Sequence, residues 1–376
     1  RLPSYSVRHK RLKTVRVKKV YLENFLSYEN LFVEFGEGLN VLVGHNAAGK
    51  TNLLESIYYS SVAKSARALR DKELIRWGAN GNGRIRLAVD RMGFNHTVDI
   101  ALDAQGKKRI ALDGLPITKI GELMGAVCVV FFSPTEMKLV KDAPSDRRRF
   151  MDISICQRDK NYFYTLVRYN KLLAQRNKLL KEYKNSPTLA DMNAILIEKM
   201  CRAQEVIMAK RKAFVDALAP IAEEKHDKLT LGKEKLAVSY ETEELDFNDV
   251  YNGLKKLYET NYPKDARLEY TTVGIHRDDI KITADGVDIR KYGSQGQQRT
   301  AVLSMKLAEV EMFKKESGEY PILLMDDVLS ELDEDRRKAL FESIGGVQTF
   351  ITCTEFNENA GEKNIYSINN GKVTKI

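Results

Sequence analysis

Three short segments carry the residue types that phosphate chemistry needs. Gly44-His45-Asn46-Ala47-Ala48-Gly49-Lys50-Thr51 has the spacing Gly-x-x-x-x-Gly-Lys-Thr, in which glycines let successive backbone N–H groups curl inward around phosphate oxygens. Lys50 is placed to reach the β and γ phosphates of ATP and Thr51 to offer its hydroxyl to magnesium, with Asn52 next along. An apolar run at 39–43 precedes the loop and a helix is predicted over 50–59, so the helix start adds its partial positive charge. The second segment, Ile322-Leu323-Leu324-Met325-Asp326-Asp327, is four apolar residues ending in two acids. Asp326 is placed to hold magnesium through water, and Asp327, pointing to the other side, to orient or deprotonate an attacking water. Standing alone, this segment fits equally well a buried strand whose acids cap the next turn. The third segment, Lys291-Tyr292-Gly293-Ser294-Gln295-Gly296-Gln297-Gln298, opens a helix with a hydroxyl and free N–H groups, a second small anion-binding end. One loop already surrounds one side of a triphosphate, so Ser294, Gln295, Gly296 and Gln297 are expected to cap nucleotide bound by a second copy. Taken alone they are also an ordinary helix cap.

These segments need a sheet to hold them. Runs at 15–22, 31–35 and 39–43 read as short strands, the last leading straight into the glycine loop. Alternating segments at 85–89 and 96–100 predict an antiparallel sheet layered on the nucleotide core, and 127–132 a buried strand. Between 145 and 228 proline and glycine nearly vanish and charges dominate, which predicts long helices. Leu166, Leu173 and Leu180 repeat every seventh residue, as do Leu189 and Leu196 beyond a break at Asn185-Ser186-Pro187, the pattern of a short helical hairpin. A helix at 297–313, the acidic strand and a closing set of strands including 349–352 follow. The nucleotide core is therefore split around a helical insertion.

Composition adds bounds. A chain of 376 residues can bury a large core. No apolar run is long enough to span a bilayer, so a soluble, cytoplasmic protein is expected. Cys128, Cys156, Cys201 and Cys353 lack the spacing of a zinc site or a disulfide framework. Of the formal charge of +9, eight units come from Arg1, Arg8, Lys10, Arg11, Lys13, Arg16, Lys18 and Lys19, leaving only +1 for the remainder. Net charge therefore says little about nucleic acid, and residues 1–18 are expected to be a basic leader, artificial or disordered.

The order of these motifs resembles the ABC-type ATPase heads: phosphate loop, long insertion, Ser-x-Gly signature, acidic strand, then Ser330-Glu331-Leu332-Asp333, similar to the family's D-loop. Within that superfamily the chain resembles the RecF family of bacterial recombination mediators from about residue 19 onward. The likeness rests on Phe132-Ser133-Pro134-Thr135-Glu136-Met137-Lys138-Leu139-Val140-Lys141, on Pro144-Ser145-Asp146-Arg147-Arg148-Arg149-Phe150-Met151-Asp152, on the Asp326-Asp327 pair, and on Ser65-Ala66-Arg67 near Lys72-Glu73-Leu74-Ile75-Arg76-Trp77-Gly78. The resemblance implies an α/β fold, a P-loop NTPase core with an antiparallel β subdomain, over 19–144 and 265–376, plus an inserted helical lobe over 145–264. It implies a slow, DNA-stimulated ATPase that dimerises around two ATP molecules with magnesium. It further implies binding to double-stranded and gapped or junction DNA, and work with RecR and RecO to load RecA in DNA repair and the SOS response. Phe25-Leu26-Ser27 replaces the family's Phe-Arg-Asn, and Asp142 stands where glycine is commoner. No glutamine marks a Q-loop, and Thr354 is expected where a switch histidine usually stands.

Sequence-tolerant DNA binding needs cations aimed at phosphates. Lys64, Arg67, Arg70 and Lys72 are the first candidates; 107–109, 147–149 and 168–184 are others, with 147–149 alternatively bracing acids inside the head. An SMC-like DNA tether is the alternative, but the heptads run only about twenty residues per arm and no Cys-x-x-Cys hook joins them. A membrane transporter's ATPase subunit fits neither the insertion nor the central block.

Overall fold

The computed structural model describes residues 14–67, 69–79, 81–182, 188–356 and 362–376. In chain order the elements are β1 (Arg16–Phe25), β2 (Tyr28–Glu34), β3 (Leu39–Val43), α1 (Lys50–Val62), β4 (Gly83–Arg91), β5 (Phe94–Leu102), β6 (Lys108–Leu112), β7 (Leu115–Ile117) and β8 (Val129–Phe132). Then come α2 (Lys138–Lys141), α3 (Pro144–Cys156), α4 (Lys160–Glu182), α5 (Leu189–Thr230), β9 (Leu236–Glu241), α6 (Val250–Leu268), β10 (Asp279–Ala284), β11 (Val287–Asp288) and α7 (Ile289–Tyr292). The last are α8 (Gln295–Ser317), β12 (Ile322–Asp326), α9 (Glu334–Ser343), β13 (Thr349–Cys353), β14 (Lys363–Asn369) and β15 (Lys372–Lys375).

Among the described residues these strands form three sheets. The central one runs β15-β14-β3-β13-β12-β8, parallel except for the β14–β15 pair. Strands β8, β12 and β13 are buried along their whole length. Covered on both faces, they read as continuous apolar runs instead of alternating ones. The second sheet, β2-β1-β4-β5-β6-β7, is antiparallel. One face of it is core: Val17, Val20 and Leu22 of β1 and Ile85 and Leu87 of β4 are fully buried, the alternation expected of a half-covered sheet.

The third sheet, β11-β10-β9, ties the insertion to the head, because β9 pairs antiparallel with β10 from Asp279↔Glu241 to Ala284↔Leu236. A boundary at 264/265 consequently falls inside α6, and the lobe's own strand belongs to a sheet shared with the second half of the head. The helices differ from the hairpin of short arms as well. Helix α5 is 42 residues long, carries Pro220, and buries Ile207, Met208, Val215 and Leu218. The break at 185–187 lies outside the described residues.

Two arginines with almost no exposure knit the lobe. Arg176 donates to Asp265 (2.7 Å), Thr271 (2.7 Å) and Asn193 (3.0 Å). Arg211 reaches Asp278 (2.7 Å), Asp152 (2.9 Å) and the Ile275 carbonyl (2.8 Å). Buried pairs of this kind fix how helices meet more than they add net stability.

The last residues of the stretch expected to be a leader are ordered against the head. β1 begins at Arg16, Val15 and Val17 are buried, and Thr14 bridges to Tyr320. Residues 14–18 are therefore part of the head, and 1–13 lie outside the described residues. Among the described residues no helix is long and apolar enough to cross a membrane.

Candidate nucleotide site

The phosphate loop leaves the carboxyl end of β3 and enters α1. Two positions explain its glycines. A Cβ on Gly44 would meet the Ile368 carbonyl at 2.3 Å; Gly49 has φ +110° and would press a Cβ on Ser27 Oγ and the Tyr28 hydroxyl. Tyr28 holds the turn, donating to the Gly49 carbonyl at 3.0 Å; burial raises its phenol well above the ordinary range. Ala47 also lies in the left-handed region at φ 64°, a conformation that costs an alanine energy and is kept where the surroundings impose it. His45, Asn46 and Ala47 are exposed at the crest and Ala48 is half-buried. Lys50 folds back across the loop, its Nζ donating to the carbonyls of Gly44 and His45.

The acidic strand lies across β13 from this loop. Thr51 Oγ1 stands 2.9 Å from Asp326 Oδ2 and 3.0 Å from Oδ1, joining residues 275 apart in sequence. A hydroxyl and a carboxylate side by side are the oxygen ligands that magnesium takes with substrate phosphates. With two oxygen donors side by side, Thr51 and Asp326 fit an ion whose remaining ligands come from a nucleotide. Thr352 of β13 was not anticipated. Its hydroxyl donates to Asp326 Oδ1 (2.7 Å) and accepts from the Asp327 N–H (2.9 Å), so one buried residue orders both acids. A hydroxyl inside an otherwise apolar strand was the available signal. Thr354, the expected switch residue, is exposed and two positions further on.

Asp327 does not continue the strand to its opposite face. It takes φ 52°, which turns the chain out of β12 and leaves its carboxylate exposed, accepting from Ser330 Oγ at 3.0 Å. Ser330 and Glu331 begin the segment beyond it, Leu332 is buried and Asp333 caps α9 by accepting from the Arg336 N–H. Cys353, beside Lys50, is pushed by burial up to about 11 and stays a thiol.

The signature lies at the start of α8. Ser294 Oγ accepts from the Gln297 N–H (3.2 Å) while Gln297 Oε1 accepts from the Ser294 N–H (2.8 Å), a reciprocal capping box. The cap uses the hydroxyl as acceptor and leaves its O–H to donate. Ser294 and Gln295 are exposed. Nothing within the fold demands a glycine at 296, since the nearest atom to an added Cβ is Ser294 Oγ at 3.9 Å. Arg299 joins this helix to Glu331 at 2.8 Å.

Between α1, β8, α3 and α8 lies a cavity of about 150 Å³ lined by Tyr58, Arg67, Glu136, Arg149, Lys306 and Glu309 among others. Lys306 of α8 pairs with Glu136 at 3.0 Å and Glu309 at 3.3 Å. Burial alone lowers its pKa, but these two acids carry it above the ordinary lysine range. The Ser-Pro-Thr-Glu block after β8 is thus tied to the signature helix.

The basic candidates divide. Lys64, Arg70 and Lys72 are exposed. Arg67 turns inward instead: its Nη2 donates to Asn52 Oδ1 (3.0 Å) and its Nε lies 3.7 Å from fully buried Glu55. Asn52 in turn donates to Ser27 Oγ at 2.9 Å. Arg67 therefore braces the start of α1, unlike the three exposed cations. Arg147 pairs with Asp279, Arg148 donates to the Asp278 carbonyl and Arg149 to that of Ser65; this triplet braces the interior.

A P-loop and an acidic strand on one parallel sheet, an antiparallel sheet beside them, and a helical insertion before an exposed signature serine define an ABC-type ATPase head. The model of the RecF/RecN/SMC N-terminal domain matches residues 16–374. Sequence relatives include the DNA replication and repair protein RecF of Clostridium botulinum (strain Loch Maree / Type A3), 41% identical over 96% of this chain and 100% of its own length. RecF of Lachnoclostridium phytofermentans is 42% identical over 96% and 99%. The solved structure of the recombination mediator RecF with ATP in the RecFOR pathway covers 98% of this chain and 100% of its own, at 34% identity and TM-score 0.91. An Smc head from Pyrococcus furiosus, bound to the C-terminal domain of ScpA, shares the fold alone at 17% identity, TM-score 0.56 and 96% of each chain. The chain belongs to the RecF family of DNA replication and repair proteins and is an ATPase.

Proposed function

We propose that this ATPase is a DNA-binding recombination mediator in which ATP is the glue between two heads. The observation that carries the reading is the division of the nucleotide machinery: Lys50, Thr51 and Asp326 converge on one phosphate loop, whereas Ser294 presents its hydroxyl to solvent beside a glycine that no packing within the subunit requires. A second copy supplies the missing half, so each ATP lies between one subunit's loop and the other's signature, with 330–333 along the contact. Thr51 and Asp326 would hold magnesium, which neutralises charge on the β and γ phosphates. Asp327, held by Ser330 and the Thr352 hydroxyl, orients the attacking water, and hydrolysis releases the dimer.

DNA lies across the joined heads, engaged through the cationic rim at Lys64, Arg70 and Lys72, and contact with it speeds a slow turnover. The RecF relative solved with ATP is described within the RecFOR pathway; by that kinship the partners are RecR and RecO, and the task is to help load RecA at single-strand gaps. Sedimentation velocity tests the core of this reading. ATP with magnesium should convert monomer to dimer, and duplex DNA should co-sediment with the dimer; a chain that stays monomeric at saturating ATP with DNA overturns it.

A further inference from the structure

Trp77 is the chain's one tryptophan and is 97% exposed. Its mount is nevertheless fixed. The Leu26 N–H donates to the Leu74 carbonyl (2.8 Å) and the Arg76 N–H to that of Asn24 (2.9 Å). Ile75 bridges to Phe25, Leu74 is fully buried, and the Arg76 guanidinium pairs with Glu29 at 3.2 Å. The backbone beneath the indole is thus anchored, and the ring itself stands in water, open to a flat partner.

Cations lie on the segment that leads into that mount and on the turn packed against it. The Lys72 backbone meets the β5–β6 turn, where a Cβ on Gly106 would come within 3.1 Å of the Lys72 backbone nitrogen, so exposed Lys107 follows at the same place. Lys108 Nζ bridges Asp71 (2.9 Å) and the Ala63 carbonyl (2.6 Å), drawing Lys64 to the same rim. The nearby acids are committed: Asp71 to Lys108 and Tyr59, Glu73 to the Arg70 N–H, Glu29 to Arg76. Lys64, Arg70, Lys72 and Lys107 have no ion-pair partner among the described residues.

Cations alone grip phosphates of any DNA. Along a continuous duplex the base faces are stacked on one another, leaving only the two terminal pairs open; an unpaired base exposes a face within the strand, and every base has such a face. We propose that Trp77 stacks on an unpaired DNA base beside the duplex held by this rim, so that the surface discriminates single-strand to double-strand junctions from continuous duplex. This inference rests on the DNA-binding reading above.

Because the chain has a single tryptophan, its fluorescence reports one position. Titrating the full chain with a gapped duplex should quench it, while a blunt duplex or ATP alone should not. Trp77→Ala should weaken binding to the gapped duplex by roughly tenfold or more and leave blunt-duplex affinity within about twofold, with Trp77→Phe retaining most of the preference. Quenching by ATP alone overturns the proposal in favour of adenine. Equal affinity of wild type and Trp77→Ala for the gapped duplex, while binding remains salt-dependent, overturns it in favour of a protein partner and leaves the DNA-binding reading standing. Absence of binding to either DNA defeats that reading itself.

Discussion

Replacing Ser294 by aspartate separates two tasks that one hydroxyl performs. Within the subunit the hydroxyl only accepts a hydrogen bond, from the Gln297 N–H at 3.2 Å. Aspartate caps a helix as well as serine does, and its charge suits a helix start. The melting temperature of Ser294→Asp should therefore stay within a degree or two of wild type, whereas Ser294→Ala loses about 1 kcal/mol of cap. Across the proposed interface the hydroxyl donates to a phosphate. A hydrogen bond to a charged group contributes about 1.5–3 kcal/mol, and a two-fold dimer contains the contact twice. Losing both costs about 3–6 kcal/mol, a roughly 10²- to 10⁴-fold weaker ATP-dependent dimerisation; like-charge repulsion places Ser294→Asp at the upper end. The assay is sedimentation velocity over a range of protein concentrations with a slowly hydrolysed ATP analogue and magnesium. If Ser294→Asp dimerises at the wild-type concentration, the hydroxyl is a helix cap and nothing more.

Asp327→Asn keeps the turn and the bond from Ser330 but removes the base, so turnover should fall by about 10²-fold or more while the ATP dimer persists in gel filtration; turnover near wild type would remove Asp327 from the chemistry. Glu55 is fully buried, and burial raises its carboxyl pKa against the lowering influence of Ser65, Arg67 and Arg149. The folded state therefore binds this proton more tightly than the unfolded chain does, and stability falls as pH climbs from the ordinary carboxylate range through the raised value. Glu55→Gln should flatten that part of the melting-temperature profile, and an unchanged slope would contradict it. For DNA, Arg70→Ala with Lys72→Ala should reduce the dependence of log affinity on log salt by about 2. Arg67→Ala, whose guanidinium faces Asn52, should leave that slope unaltered in filter binding.

Most of the nucleotide machinery was readable because it is local. The phosphate loop needs glycine where Ile368 and Ser27 crowd the backbone, and the apolar run into Asp326 is a strand covered on both faces. What spacing could not show depends on distant packing. Arg67 has the same charge as Arg70, but only the fold supplies buried Glu55 and the Asn52 amide that turn it inward. Asp327 reads as the next residue of a strand; its left-handed backbone, with its N–H on the Thr352 hydroxyl, appears only in the fold. The tie between lobe and head was not legible because β9 pairs only with β10, about forty residues later.

The bond between Thr51 and Asp326 also sets a clock. Ribosomes add roughly 5–20 residues per second, and 275 positions separate these two side chains. A nascent chain therefore carries its phosphate loop for roughly 15–55 s before the acid that completes it has been made. Strand β3 is equally unfinished during that time, because both of its neighbours, β13 and β14, are synthesised at the far end. Until Asp326 and β13 have been made, an incomplete polypeptide lacks both the acid that faces Thr51 and the strand beside β3, and on the dimer reading proposed above such a head cannot clamp ATP against a finished copy.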